Sequence, residues 1–450
     1  MISAGHKSIS PARAKAYAAL QRVEQEGAYA DIILGRLSAD DVLQPNDRAL
    51  INELVRGTIR WKKKLDWIVD QLWQGDKKRM PAPIRWILWL GLYQLLFLDK
   101  VPDFAAVNES VELAKRHVGK KSASVVNGIL RSYLRAPEAI TYPDERKNPV
   151  LALAVTKSHP EWLIRRWVER FGFDRTALLC DANNSAPLVT IRHNPRRSTF
   201  AEFENLLKKE KVAFLRSTIP GFVRISEMSS SVREELLALG IMTIQDESAG
   251  LVGLLANPQA GETIFDVCAA PGGKCTHLAE LSGDQAIVIA SDSNASRVNL
   301  IRSAKQRLQI NSVQIVVADA RYFPAHCADT VVLDAPCSGL GVLRKKPDLR
   351  WRRRPEQILE LSTLQTELLQ KASSLVKKGG ILIYSTCTTE PEENERVIDA
   401  FLKQNAQFTL ISEFPDAIPR NVITAEGFVR TWPHIHRMDG SFAVKMVRNT

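Results

Sequence analysis

Cysteine is scarce in this chain. Of 450 residues only six are cysteine, at positions 180, 268, 275, 327, 337 and 387. So few cannot staple a scaffold with disulfides. Long apolar runs are also missing. The most apolar stretch, Ile84 to Leu98, carries Arg85 and Gln94 and is shorter than the ~20 residues that cross a bilayer, so it reads as a core helix. No secretory leader stands out. A reducing, cytoplasmic setting without a membrane partner is therefore expected. Metal-ligand patterns are absent too. Cys268 and Cys275 are offset by seven positions, outside usual zinc spacings, and the His434/His436 pair has no third ligand in view. We expect no metal and read the His-x-His segment as a structural loop. Internal repeats and low-complexity tracts are not evident, and neither a GxGxxG fingerprint nor a P-loop occurs. Dinucleotide and nucleoside-triphosphate chemistry lose ground accordingly.

What the chain does have is room and positive charge. Its length allows two or three domains with real cores, and 45% hydrophobic with 25% charged residues is ordinary for a globular protein. The net charge of +11 favours a polyanionic partner, most simply nucleic acid, although charge alone does not exclude a membrane surface.

Residues 1–140 read as an all-helical bundle. Ser10-Pro11 is an N-cap followed by proline at the first helical position, with Gly27 as a stop. Asn46 is placed to cap a helix over 47–61, Pro83 opens the Trp86/Trp89/Leu90/Tyr93/Phe97 helix, and helices over 105–117 and 122–135 follow. Lys62-Lys63-Lys64, Lys115-Arg116-His117 and Lys120-Lys121 are either solvated helix ends or an RNA-facing patch. A polar, proline-flanked linker over 141–149 leads to a small α/β module at 150–240. In it, helices over 160–171 and 174–184 precede strands over 188–193, 212–215 and 222–225 and a helix over 200–210. It lacks the aromatic pattern of a standard RNA-recognition sheet, so an RNA-binding role follows from its position alone.

Residues 241–450 alternate apolar strands (264–267, 286–290, 313–317, 330–333, 380–384) with helices (274–281, 295–308, 355–376). That pattern predicts a doubly wound parallel sheet with its site at the strand C-termini. The first strand ends in the acid Asp266 and runs through Val267 into Cys268-Ala269-Ala270-Pro271-Gly272-Gly273-Lys274, where small residues allow close approach of a ligand and a helix N-terminus can receive an anion. Asp292, Asp319 and Asp334 follow the next three strands. Any one of these acids is most simply a turn former or cap. Acids at successive strand ends instead imply a ligand with an adenosine and a carboxylate, S-adenosylmethionine: Asp292 at the ribose hydroxyls and Asp319 at the adenine edge.

Two thiols remain. Cys337 follows Asp334-Ala335-Pro336, and Cys387 lies in Tyr384-Ser385-Thr386-Cys387 after the fifth strand, so they emerge side by side; Cys180 and Cys327 read as packing. A carboxylate and thiols at strand ends suit methylation of carbon 5 of a pyrimidine. That carbon becomes nucleophilic once a thiolate adds to carbon 6, assisted by an acid at the ring nitrogen and later by a base. The target base must leave its helix to reach the thiol.

The segments DVCAAPGGK (266–274), LDAPCSGLG (333–341) and YSTCTTEPEENE (384–395) resemble the signatures of the bacterial RNA cytosine-5 methyltransferases of the Nop2/Sun (Fmu) class. ALINELVRGTIRW (49–61) resembles the NusB antitermination factor, and Gln245 to Ala249 resembles the opening of the methylase domain. The likeness covers essentially the whole chain. It implies an all-α NusB-like bundle, a small α/β linker module and a Rossmann-like class I methyltransferase domain. It further implies methylation of 16S rRNA by a cytoplasmic enzyme, which we expect to be monomeric. By the resemblance, Cys387 is the nucleophile, Cys337 helps release the product, and residues 268–274, Asp292, Asp319 and Asp334 contact the cofactor, with Asp334 also meeting the cytosine. The Ala290 to Asn294 segment departs slightly from the commoner Asp-x-Asp pattern, which weakens Asp292 as a ligand.

A basic run lies between the two thiols. Arg344, Lys345, Lys346, Arg350, Arg352, Arg353 and Arg354 surround Trp351, and their closeness to Cys337 favours RNA-phosphate contacts over a solvated loop. Two rivals stand beside this reading. A DNA cytosine-5 methylase would make Cys337 the nucleophile. A non-catalytic RNA chaperone would leave both thiols and all four acids without a purpose.

Overall fold

The computed structural model describes residues 9–38, 42–76, 79–323, 325 and 327–449, so residues 1–8 of the expected bundle lie outside the described residues. The chain divides into two compact units. One is Met1–Asn184 with Lys345–Arg352, and the other is Ser185–Arg344 with Arg353–Thr450.

The first unit is helical. Ser10 caps Pro11–Gln25 by accepting the Arg13 amide, as its sequence predicts. Asn46 does not cap the helix Pro45–Arg60, because Pro45 itself takes the first turn and Gln44 precedes it. Ala30–Ser38 and Lys62–Leu72 add two helices that residue patterning did not single out. The apolar helix Ala82–Phe97 sits at the centre, with Ile87, Leu88 and Leu92 packed among Leu20, Leu54, Val126 and Leu130. The helices Pro149–Thr156, Glu161–Phe171 and Phe173–Asn184 also belong to this unit, although the sequence placed them mostly in the small module. Each has an apolar face of its own, with Leu163, Ile164 and Trp167 wholly buried. Such faces pack on other helices without any strand.

Part of the basic run also belongs to this unit, and its expected role as a continuous set of RNA-phosphate contacts does not hold for the residues buried there. Arg350 is fully buried, and its guanidinium donates to the Ser158 and Asn183 carbonyls and to Asn184 Oδ1. Trp351 Nε1 donates to the Ile59 carbonyl over 2.7 Å, and Arg352 bonds the Gly27 carbonyl while lying 4.1 Å from the Tyr29 ring centroid. The Lys345 carbonyl accepts from Arg56. A guanidinium brings five donors, and in the interior those donors must find acceptors.

The second unit holds two sheets. Strands β1 (Val189–His193), β2 (Ala213–Arg216), β3 (Phe222–Glu227) and β4 (Met242–Ile244) form an antiparallel sheet in the order β2-β3-β1-β4. The helix Phe200–Lys209 starts from a Thr199/Glu202 capping box. Ile191, Phe203, Val223, Ile225 and Met242 form the core of this part. Strand β4 lies past the boundary expected at residue 240, and pairing of Ile244 with Ile191 assigns it to the small sheet.

The large sheet comprises β5 (Thr263–Asp266), β6 (Ile287–Asp292), β7 (Val313–Val317), β8 (Ala328–Asp334), β9 (Val376–Thr386), β10 (Phe408–Leu410), β11 (Val429–Thr431) and β12 (Ser441–Arg448). Its order is β10-β12-β9-β8-β5-β6-β7, with β11 paired to β12. Strands β5 to β9 are mutually parallel, as the alternating pattern predicts, and β12 is antiparallel to β9. The chain runs outward one way through β6 and β7 and the other way through β8 and β9. The reversal leaves a crevice beyond the C-terminal ends of β5 and β8. The helices Gly273–Leu281, Ala295–Leu308 and Pro355–Leu375 connect the parallel strands, near their expected limits.

Candidate active site

Strand β5 delivers the glycine loop. Asp266 closes the strand with its side chain fully buried, and among the described residues no side-chain donor reaches either carboxylate oxygen. Burial, reinforced by the charge of Asp334, pushes its pKa up to about 7. Gly272 then turns at φ +108°, where a side chain would be strained and would come within 3.2 Å of Ile301 Cα. Lys274 follows in the first turn of the helix Gly273–Leu281. The loop is braced from behind by Arg192 on β1. This residue donates to the Gly273 carbonyl over 2.8 Å, to Thr276 Oγ1 and to Gln245, and it forms a buried ion pair with Glu280 at 2.8 Å. Gln245 Nε2 donates to the same Gly273 carbonyl.

The other acids stand at the ends of neighbouring strands. Asp292 ends β6, is almost fully buried, accepts from the Asn294 amide and lies 3.3 Å from Arg297. Asp319 follows β7, caps the short turn Ala320–Tyr322 and pairs with Arg321 at 2.7 Å. Asp334 ends β8. One of its oxygens takes Lys274 Nζ at 2.6 Å, and the other accepts from Ser385 Oγ at 2.8 Å. Burial opposes the Lys274 charge, but Asp334 outweighs it and keeps the ammonium pKa above its ordinary value. The buried Asp266 carboxylate and the close-approach glycines fit a ligand that brings its own hydrogen-bond donors and positive charge. S-adenosylmethionine carries both.

The two thiols meet as their strand positions predict. Cys337 Sγ and Cys387 Sγ are 3.2 Å apart, and the Cys387 amide points at Cys337 Sγ over 3.4 Å. The hydrogen bond to Cys387, and then burial, raise the Cys337 pKa well above its ordinary value. Burial likewise raises Cys268 and Cys275. Cys180 is buried as expected, whereas Cys327 is exposed and is not packing.

Two further arginines of the basic run also turn inward. Arg353 donates to the Ser338 and Cys337 carbonyls, and Arg344, nearly buried, donates to the Arg437 carbonyl. Only Lys346 and Arg354 of the seven predicted RNA contacts are exposed. The His434/His436 pair, expected in a loop, lies instead in the short helix Pro433–His436, where His436 Nδ1 accepts from the Trp432 amide. Among the described residues no group of acids, histidines or cysteines could hold a metal, and no helix is long and apolar enough to cross a membrane. Residue patterning passed over Arg192, Ser385 and Glu393 as site residues. Ser385 and Glu393 sit inside the quoted signature segments, whereas nothing local distinguishes Arg192.

The reversed strand order at β5, the acids at the strand ends and the antiparallel β12 define a Rossmann-like class I methyltransferase domain. Comparison with known proteins agrees. Residues 253–447 match the model of the 16S rRNA methyltransferase RsmB/F family, residues 10–135 the NusB family, and residues 159–230 a ferredoxin-like domain of RsmF/B-like methyltransferases. A probable ribosomal RNA small subunit methyltransferase B from Synechocystis sp. is 37% identical over 445 residues, covering 97% of this chain and 99% of that protein. One from Bacillus subtilis is 35% identical over 446 residues, covering 95% and 96%. The solved structure of PH0851 superposes with a TM-score of 0.80 at 27% identity, covering 98% of this chain and 99% of that one. The chain belongs to the RsmB/F family of 16S rRNA methyltransferases.

Proposed function

We propose that this protein methylates carbon 5 of a cytosine in 16S rRNA through a covalent adduct between Cys387 and carbon 6 of the base. The observation that carries the reading is the 3.2 Å contact of the two thiols at adjoining strand ends, next to the Lys274–Asp334 pair. S-adenosylmethionine, when bound, supplies an electrophilic methyl group. The glycine loop 268–274, with Asp266, Asp292 and Asp319, holds it, and Lys274 fixes Asp334 beside it. Cys387 attacks carbon 6 as the thiolate, and Cys337, 3.2 Å away, is placed to hydrogen-bond it. Asp334, held between Lys274 and Ser385, meets the cytosine ring, and the pair offers the ring nitrogen a hydrogen-bonded proton. After methyl transfer a base takes the carbon-5 proton, and the carbon 6–sulfur bond breaks with its electron pair returning to Cys387; Cys337 assists this departure of the methylated base.

The helical unit and the small sheet are proposed to hold the RNA, with Lys346 and Arg354 as phosphate contacts. The enzyme is proposed to act as a cytoplasmic monomer.

The test is to incubate Cys387→Ala and Cys337→Ala proteins with unmodified 16S rRNA and labelled cofactor. Cys387→Ala should form no covalent protein–RNA adduct, and Cys337→Ala should form one and release it poorly. The reverse pattern would make Cys337 the nucleophile and overturn the assignment.

A further inference from the structure

One buried carboxylate joins the turns that carry the two thiols. Glu393 lies in the loop after β9, and its side chain accepts four hydrogen bonds. Oε1 takes the Ser338 amide at 2.7 Å and Gln365 Nε2 at 3.0 Å. Oε2 takes the Ser338 hydroxyl at 2.5 Å and the Thr388 hydroxyl at 2.9 Å. Ser338 directly follows Cys337, and Thr388 directly follows Cys387. The two hydroxyls also meet each other at 2.7 Å, and Gln365 Nε2 donates in addition to the Pro336 carbonyl. Every donor that reaches this carboxylate therefore either adjoins one of the thiols or, as Gln365 does, also holds the Cys337 turn. Glu393 itself is fully buried and has no place in the reaction as proposed.

Burying a carboxylate is costly, and here its compensation comes from two turns at the ends of β8 and β9. Backbone hydrogen bonds tie the two turns at Ala335–Ser385 (2.8 Å) and at Gly341–Cys387 (3.0 Å), and between those ties the Cys337 turn depends on side chains. A carboxylate that accepts four hydrogen bonds there anchors the stretch that carries the sulfurs.

We propose that Glu393 is a positioning residue that sets the separation of the Cys337 and Cys387 sulfurs, and with it the step that frees the methylated base. This rests on the two-thiol reading above. Attack requires Cys387 alone, whereas release as proposed requires both sulfurs at the same base. Loosening the anchor therefore affects release more than attack.

Two measurements test it, one of them independent of activity. Phenylarsine oxide condenses with two neighbouring thiols, forming two As–S bonds and releasing one water, and it does not bind a lone thiol stably. The intact protein should take it up at this pair, and the Cys337→Ala protein should not. Glu393→Ala should bind it at least about tenfold more weakly, with S-adenosylhomocysteine affinity unchanged. In single turnover, Glu393→Ala should release the RNA adduct about 100-fold more slowly, while adduct formation falls much less, the scale expected of an ångström's misplacement. Thr388→Val removes only one of the four bonds and should move both readouts the same way by a smaller factor; it decides the matter if Glu393→Ala does not fold. Arsenical affinity and release rates equal to those of the unaltered protein would overturn the proposal. If the unaltered protein forms no adduct yet Glu393→Ala still loses the arsenical, the anchor stands and the two-thiol chemistry falls.

Discussion

Asp266 is a residue whose surroundings oppose its own charge. It has no solvent, no side-chain donor among the described residues and Asp334 nearby, and its pKa is pushed up to about 7. An acid with a raised folded-state pKa takes up protons on folding, so its favourable contribution is complete below the unfolded value near 4 and is lost as pH rises through about 7. Asp266→Asn should therefore flatten the pH dependence of stability in the free protein. Urea unfolding at pH 5 and pH 8.5 should show a smaller loss across that interval for the variant than for the parent; equal losses would show that the carboxylate is not held in this way. The residue also marks where patterning works and where it stops. Cys337 and Cys387 were legible because each sits at a strand end with a distinctive neighbour, Pro336 for one and Ser385-Thr386 for the other. Asp266 begins the same signature segment as the glycine loop, but nothing in the letters says that a strand-terminal acid is dry.

At the scale of elements, the small sheet and the helix Gly273–Leu281 meet through Arg192. Glu280 supplies the charge partner, and the Gly273 carbonyl receives a second bond from the same guanidinium. Sequence alternation found β1 but could not find the far end of Arg192, because the partner lies 88 positions away. The pairing of β4 with β1 was missed for a related reason: a three-residue strand has too few positions to show a period. Removing Arg192 alone strands Glu280 and should cost about 3–5 kcal/mol of stability. The informative variant is the pair Arg192→Met with Glu280→Leu, which removes both buried charges and should recover much of that loss. It still lacks the bond to Gly273, so S-adenosylhomocysteine should bind about tenfold more weakly by calorimetry, the worth of roughly one hydrogen bond. Unchanged affinity in the double variant would reduce Arg192 to a stabilising residue with no part in shaping the cofactor loop.

At the scale of the molecule, the division into a helical unit and a two-sheet unit follows from where the apolar faces lie. The parallel strands, the helices between them and the site at their ends could be read from apolar spacing. The return of Lys345–Arg352 to the helical unit could not, since a run of arginines looks the same whether its guanidiniums face water or carbonyls. Arg350 donates to the Ser158 and Asn183 carbonyls and to Asn184 Oδ1, and burial with the nearby Arg60 lowers its pKa. Replacing it by methionine leaves those oxygens without a donor in the interior, which should cost about 3 kcal/mol in chemical unfolding. It should leave the salt dependence of rRNA binding untouched, because a guanidinium bound to carbonyls releases no counterion. Lys346 and Arg354 are the exposed members of the run, and the converse applies to them. Lys346→Gln with Arg354→Gln should leave stability near that of the parent. The same pair should flatten the plot of log binding constant against log salt by about 0.7–0.9 for each phosphate that is no longer neutralised. A flatter slope in Arg350→Met, or an unchanged one in the exposed pair, would mean that burial does not separate the structural arginines of this run from those that meet RNA.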